Sequence, residues 1–224
     1  MLNSVRQDAS LMHVIDDAQS EFRTVLSALY ESQGCLTRSQ YAAYLGMQTH
    51  LTRSVQKYFL RIAAHPAVMK RAGLRRFVMK FAVEEAPHYR IAMKDLEALG
   101  EPLCEVPFAV ELWHAYFSSI VDARPFVRLG AACYLENVAG KSSDVIERLF
   151  AGSTYLRPNN MRFFLIHKHE TDKLDHGNMI LDALRQANLR TSHWADLAEG
   201  AAKARILYKM MMDWALSSDS PKVS

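Results

Sequence analysis

The sequence predicts an all-α fold, a single-domain bundle of seven long helices. Apolar side chains recur at the three- and four-residue spacing of an amphipathic helix along almost the whole 224-residue chain. Stretches of alternating apolar and polar residues, which would predict strands, are nearly absent. The segments between the helical stretches are short and contain glycine or proline, as in other helical bundles.

The bounds of the predicted helices follow from their caps and breakers. Thr37 is a typical N-cap for the second helix, and Gly100 is the usual kind of residue just after the end of the third. Pro125 fits the first turn of the fifth. These signals predict helices at residues 10–32, 37–65, 66–99, 108–122, 125–150, 163–184 and 192–216. We expect them to form one domain, residues 1–218, followed by a disordered tail at residues 219–224.

Composition narrows the class of protein. Half of the residues are hydrophobic, which suits a sizeable core, and no apolar run is long enough to predict a membrane span. The N-terminus lacks the pattern of a secretory signal, and the three cysteines are too widely spaced for a zinc motif. A formal charge of +3 is too small to indicate nucleic-acid binding. We therefore expect a cytoplasmic protein that binds neither nucleic acid nor membranes.

The predicted sixth helix carries ionisable side chains on the face that its other residues would bury. His169, Asp172 and His176 share that face because they are three and four residues apart. An unpaired charge is costly to take out of water, so the stripe needs a partner. A metal ion would supply one, since neutral imidazoles and a carboxylate are metal ligands. The alternatives are an Asp–His pair that satisfies itself, or a helix that turns this face to water.

Two other predicted helices also direct carboxylates and imidazoles toward the core. Glu85 and His88 have the i, i+3 spacing of carboxylate metal sites in helical bundles, and Glu84 lies beside their face. Pro87 should bend this helix. Glu136 stands among small residues, which suggests space for a non-protein group, although an ion pair would also explain it. Oxygen-rich ligands with a few imidazoles favour iron or manganese over a structural zinc ion.

Three stretches, EEAPHYRIAMKDLEALG, YLENVAGKSS and HKHETDKLDH, resemble the heme-oxygenase-like diiron oxidase and oxygenase group. This group is related to thiaminase II and to the pyrroloquinoline-quinone biosynthesis oxidase. The resemblance covers nearly the whole chain and implies a heme-oxygenase-like bundle. The chain departs from the group's pattern at Lys173, where an aspartate is common, and at Phe81, where a glutamate is common. The metal ligands that the resemblance implies are Glu85 or Glu84, His88, Glu136, His169, Asp172 and His176.

The resemblance implies an enzyme that uses one or two non-heme iron ions, or manganese, and dioxygen to oxidise a small organic metabolite. It also implies a homodimer. A first alternative is a cofactor-free or thiaminase-like enzyme on the same fold, with Cys133 and Glu136 as catalytic residues. These two residues are three apart and share a helix face, so nucleophilic use of the thiol is geometrically feasible. A second alternative is a non-catalytic bundle in which the inward polar groups form a hydrogen-bonded network or bind heme through one histidine.

Overall fold

Helices account for all the regular structure of residues 8–167 and 176–217, which are the residues that the computed structural model describes. The predicted all-α class is confirmed. The predicted count of seven is wrong, because these residues form twelve α-helices, ten of them nine residues or longer. The predicted tail lies outside the described residues. The helices are α1 (Ala9–Gln33), α2 (Arg38–Thr52), α3 (Val55–Ala64), α4 (Pro66–Met69), α5 (Ala72–Glu85), α6 (His88–Leu99), α7 (Phe108–Ile120), α8 (Pro125–Asn137), α9 (Ser143–Ala151), α10 (Arg162–His167), α11 (His176–Arg185) and α12 (Thr191–Leu216), with a 3-10 turn at Pro158–Asn160.

Some of the long helices predicted from periodicity are divided in the structure, at points where a side-chain contact or a proline interrupts the backbone hydrogen bonds of the helix. The predicted second helix becomes α2 and α3. Near this break the hydroxyls of Thr49 and Thr52 donate to carbonyls one turn earlier, at 2.9 and 2.7 Å, a contact that bends helices. The predicted bend at Pro87 is confirmed, since α5 ends at Glu85 and α6 begins at His88. Periodicity alone misses such breaks because the apolar face continues across them.

The cap signals mark real helix ends. The Thr37 side chain accepts from the backbone N–H of Gln40 at 3.2 Å, and the Gln40 side chain accepts from the backbone N–H of Thr37 at 3.0 Å. This reciprocal capping box fixes the start of α2. Gly100 ends α6 with φ of 76°, a left-handed conformation that favours glycine. Pro125 is the first residue of α8.

Helix α8 lies at the centre of the packing. Every residue from Pro125 to Tyr134 is buried, so this helix contacts neighbours on all sides. The long helix α12 packs along it and also contacts α1, α2 and α7. No helix among the described residues is long and apolar enough to cross a membrane.

The backbones of α8 and α12 touch at two glycines. A Cβ atom added at Gly130 would lie 2.0 Å from the Leu197 carbonyl oxygen, and one at Gly200 would lie 1.8 Å from the Val127 carbonyl oxygen. Both obstacles are backbone atoms of a buried helix, so they cannot rotate away. The two helices can be this close only because neither position has a side chain.

We therefore expect Gly200→Ala to lower the free energy of unfolding by at least about 1–3 kcal/mol, the usual cost of overpacking a core. Gly73→Ala is the matched control, because a Cβ there meets no atom within 4 Å. It should instead stabilise α5 by roughly 0.5–1 kcal/mol. Urea denaturation of both variants measures the difference. Equal stability of Gly200→Ala and the wild-type protein would contradict the backbone contact.

Candidate metal centre

Glu85 lies at the centre of a cluster of carboxylates and imidazoles. It is the last residue of α5, and only 5% of its surface is exposed. Its Oε2 atom is 2.6 Å from His88 Nδ1, and its Oε1 atom is 3.5 Å from His176 Nδ1. The two oxygens of one carboxylate thus face two different histidines. One histidine begins α6 and the other begins α11.

His176 is surrounded by acidic side chains from two helices. Besides Glu85, its ring nitrogens lie 3.7 Å from a Glu84 oxygen and 3.7 Å from Glu136 Oε2. The interaction with Glu136 is the main reason that the pKa of His176 is raised above its ordinary value. Partial burial of the ring acts in the opposite direction, and the charges of Glu85 and Glu84 add to the increase. The environment therefore favours positive charge at this point.

Close packing of α11 against the end of α8 brings His176 to Glu136. The neighbouring Gly177 faces α8, where an added Cβ would lie 2.9 Å from the Glu136 carbonyl oxygen and 2.7 Å from Asn137 Oδ1. The Asn137 side chain is held in place because it donates to the Cys133 carbonyl at 2.8 Å. A larger residue at Gly177 would separate the two helices and with them the histidine and the carboxylate.

Helix α6 brings a third histidine, His167, to the cluster. Asp95, fully buried on α6, accepts a hydrogen bond of 2.7 Å from the backbone N–H of Phe163, near the start of α10. This contact aligns α10 along α6, so that the His167 ring at its end lies 4.9 Å from the His88 ring. The His167 Nδ1 atom is 2.6 Å from the Phe163 carbonyl oxygen.

These side chains form two groups that fit a metal ion, and the groups share one residue. One consists of Glu85, His88 and His167, and the other of Glu85, Glu136 and His176. In each group one ligand atom per residue lies within 4.8 Å of the others. Ligand atoms bound to one ion at about 2 Å lie up to roughly 4 Å apart, so modest side-chain adjustment would complete either site.

Three buried polar atoms in the cluster have no hydrogen-bond partner among the described residues. They are Glu85 Oε1, His88 Nδ1 and His176 Nε2. The Glu85–His88 distance is short, but its angles are not those of a hydrogen bond, so we regard His88 Nδ1 as unpaired. Leaving a buried polar group unpaired costs about 1–3 kcal/mol. A metal ion held by Glu85 would bind the lone pairs of Glu85 Oε1 and His88 Nδ1. His176 Nε2 faces Glu84, whereas Nδ1 of the same ring faces Glu85 and Glu136.

The structure thus brings together four of the predicted ligands, Glu85, His88, Glu136 and His176. Glu84 is more exposed, and its Oε1 atom is 3.3 Å from the ammonium of Lys80, so Glu85 is the better placed of the two. The predictions for His169, Asp172 and Lys173 lie outside the described residues.

Sequence reasoning missed His167. It assumed one continuous helix from residue 163 to residue 184, and on such a helix His167 points about 160° away from His169. In the structure His167 lies on α10, and its ring is 4.9 Å from the ring of His88. The available signal was the presence of His167 in the same histidine-rich stretch, HKHETDKLDH.

Two further residues bear on the predicted chemistry. Phe81, where a glutamate is common in the related group, is buried, and its ring packs at 5.2 Å against the ring of His176. It therefore provides an apolar wall and no ligand. Cys133 is fully buried, and desolvation is the main reason that the pKa of its thiol is raised. The nearby charge of Glu136 adds to this increase.

A cavity of about 730 Å³ adjoins the cluster. Glu85, Glu136 and His167 contribute to its lining. Apolar side chains form much of the remaining wall, among them Leu51, Val55, Phe59, Phe81 and Ala132. A volume of this size suits a small organic molecule.

The helices and this cluster define the class of protein: a heme oxygenase-like helical fold with Glu/His groups that fit a metal cofactor. The fold is shared with a solved structure from Shewanella denitrificans OS217, a domain of unknown function with a heme oxygenase-like fold. The two superpose with a TM-score of 0.72 and 21% sequence identity, over 96% of this chain and 91% of the other. At this identity the likeness shows the fold alone. No family model and no curated protein matches the chain.

The unpaired atoms predict that Mn²⁺, used as a redox-stable probe, binds to the protein and stabilises it. An ion concentration one hundred times Kd would raise the free energy of unfolding by about 2.7 kcal/mol. His176→Ala should lower the Mn²⁺ affinity by at least about tenfold, because the Glu85–Glu136 group loses its imidazole. Calorimetric titration of metal-free protein measures the affinity.

The matched control is His13→Ala, since His13 lies on α1 with 78% of its side chain exposed. It should leave the Mn²⁺ affinity unchanged. Equal Mn²⁺ affinity in His176→Ala and the wild type would show that His176 is not a ligand.

Proposed function

We propose that this protein is a non-heme iron oxidase or oxygenase, with a two-iron centre, that uses dioxygen to oxidise a small organic metabolite. The observation that carries the proposal is the position of Glu85. Its two carboxylate oxygens face separate histidine-containing groups, which is the arrangement a shared ligand between two metal ions requires. The heme oxygenase-like fold supports the same reading.

The donor set favours iron or manganese as the bound metal. It combines carboxylate oxygens with imidazole nitrogens and contains no thiolate, since the pKa of Cys133 is raised by burial. Soft metals and structural zinc sites usually recruit cysteine. When bound, iron would supply the redox chemistry by which dioxygen oxidises an organic molecule.

The protein's own side chains would position the reactants and exclude water. Phe59 and Phe81 pack edge to face at 4.8 Å beside His176, and they form a dry wall of the cavity. Gln48 donates to the Tyr208 hydroxyl at 3.1 Å, and both of these residues also line the cavity. These polar groups are fixed by each other, so they can orient a polar part of a substrate without rearrangement.

The thiaminase-like alternative is less well supported. Such an enzyme needs Cys133 as a thiolate, whereas burial and the Glu136 charge both raise its pKa and favour the neutral thiol. The homodimer that the resemblance implies stays a prediction, and light scattering at micromolar concentration measures it.

The shared position of Glu85 predicts the metal content of three variants. After anaerobic loading with Fe²⁺, the wild-type protein should retain two ions per chain. Glu85→Gln should lose both, because the carboxylate belongs to both groups. Glu136→Gln and His167→Ala should each lose one, because each residue belongs to a single group. Elemental analysis after desalting measures the content. Two ions retained in Glu85→Gln would contradict the shared ligand.

The oxidase proposal itself is tested by oxygen uptake. Iron-loaded protein should consume dioxygen, and Glu85→Gln should reduce the rate by at least about a hundredfold, as expected for the loss of a metal ligand. Cys133→Ala should keep the wild-type rate, because the oxidase proposal gives the buried thiol no role, whereas a cofactor-free, thiaminase-like enzyme would consume no dioxygen in either protein. An iron-loaded protein that consumes no dioxygen with any of a panel of metabolites would sink the proposal.

A further inference from the structure

Arg128 is a buried cation with no polar partner among the described residues. It lies on α8, two turns before Glu136, and only 1% of its surface is exposed. Its Nε and Nη1 atoms are buried and lack hydrogen-bond partners, and no described carboxylate forms an ion pair with it. A guanidinium out of water is stable only when its charge and its N–H groups are compensated. The described part of the chain provides no hydrogen-bond acceptor for Nε and Nη1.

Four aromatic rings surround the guanidinium and hold it in place. Its central carbon lies 5.2 to 5.6 Å from the ring centroids of Tyr58, Phe59, Trp113 and Phe117. Cation–π contacts of this kind stabilise the charge in part. They do not replace an acceptor in the guanidinium plane, where the N–H groups point. The rings therefore orient the side chain and leave its donors for another group.

Arg128 remains positively charged at neutral pH. Burial lowers its pKa to about 10, and the charge of Glu136 opposes this decrease. The side chain lines the same cavity as Glu85 and Glu136, and no other arginine or lysine is among the described residues of that lining. The eight residues from Arg128 to Glu136 span about 12 Å along α8. The cavity lining thus combines one guanidinium with several carboxylates, Glu85 and Glu136 among them, and with many apolar side chains.

We propose that Arg128 binds the carboxylate of a small organic acid whose apolar body occupies this cavity and extends toward the Glu85–Glu136 end. Arginine binds a carboxylate through two parallel N–H···O bonds, and a single cation matches a single negative charge. Apolar residues such as Val55 and Ala132 also line the cavity and would accommodate the apolar body. The claim that this acid is the enzyme's substrate rests on the proposed function, but its binding to Arg128 does not.

Binding can be measured on metal-free protein with butanoate, octanoate and dodecanoate, each compared with the alcohol of the same length. At least one carboxylate should bind about tenfold or more tightly than its alcohol, since the alcohol lacks the charge. Inorganic phosphate should not compete, because it has no apolar body. Alcohols that bind as tightly as the acids, or full competition by phosphate, would overturn the proposal.

Arg128→Met keeps most of the side-chain volume and removes the charge. We expect carboxylate affinity to fall about ten- to a hundredfold, with alcohol affinity unchanged. We also expect the melting temperature to stay equal or rise, because an unpaired buried charge is replaced by an apolar group. A purely structural arginine would give the opposite result: a lower melting temperature and unchanged carboxylate affinity.

Two further variants complete the test. Arg124→Met is the matched control, since Arg124 precedes α8 and pairs at 2.6 Å with both Asp196 and Glu199. It should leave carboxylate affinity unchanged.

Arg128→Lys keeps the charge without the paired donors and should bind the acid with intermediate affinity. If Arg128→Met does not fold, Arg128→Lys decides, and wild-type affinity in that variant would overturn the proposal. Because the protein is metal-free here, failure of the iron proposal gives a different result, namely no metal uptake with carboxylate binding intact.

Discussion

The backbone contact between α8 and α12 is the constraint on which the rest of the structure depends. Carbonyl groups of Leu197 and Val127 occupy the space where side chains at Gly130 and Gly200 would be. The two helices can therefore approach to a distance that no other residue permits at these points. Helix α8 is fixed at the centre, and the residues that it carries toward the cavity, including Glu136, acquire fixed positions relative to α5 and α11.

The residues of the cluster come from five helices that are held together by separate contacts. Glu85 ends α5 and His88 begins α6, on either side of the break at Pro87. Asp95 aligns α10, which carries His167, and the close approach at Gly177 places α11, which carries His176, against the end of α8. These separate contacts explain how the imidazoles and Glu136 converge on the Glu85 carboxylate.

The helical class and four residues of the cluster could be predicted from periodicity, because the i, i+3 and i, i+4 rules apply within a single turn wherever the helix ends. The number of helices could not, since it depends on breaks, such as those after Thr52 and Glu85, that leave the apolar pattern intact. The role of His167 could not either, since it depends on how α10 packs against α6. Arg128 was overlooked for a different reason. A single arginine in an apolar helix resembles a residue whose head group reaches solvent, and only packing shows that aromatic rings enclose it. Which groups surround Arg128 therefore depends on tertiary packing and cannot be predicted from the helical pattern.

The electrostatics of the cavity connect the cluster to Arg128. The carboxylates and the guanidinium attract each other through a medium of low dielectric constant. The charge of Glu136 accordingly favours the charged form of Arg128. A cation bound by Glu85 and Glu136 would neutralise those carboxylates and so remove this support. The need of Arg128 for an anion would then increase. By linkage, a metal ion and a carboxylate ligand should therefore each strengthen the binding of the other. The Glu85 and Glu136 carboxylates and the Arg128 guanidinium are thus one electrostatic system, in which binding a metal ion to the carboxylates strengthens the binding of a carboxylate ligand to Arg128.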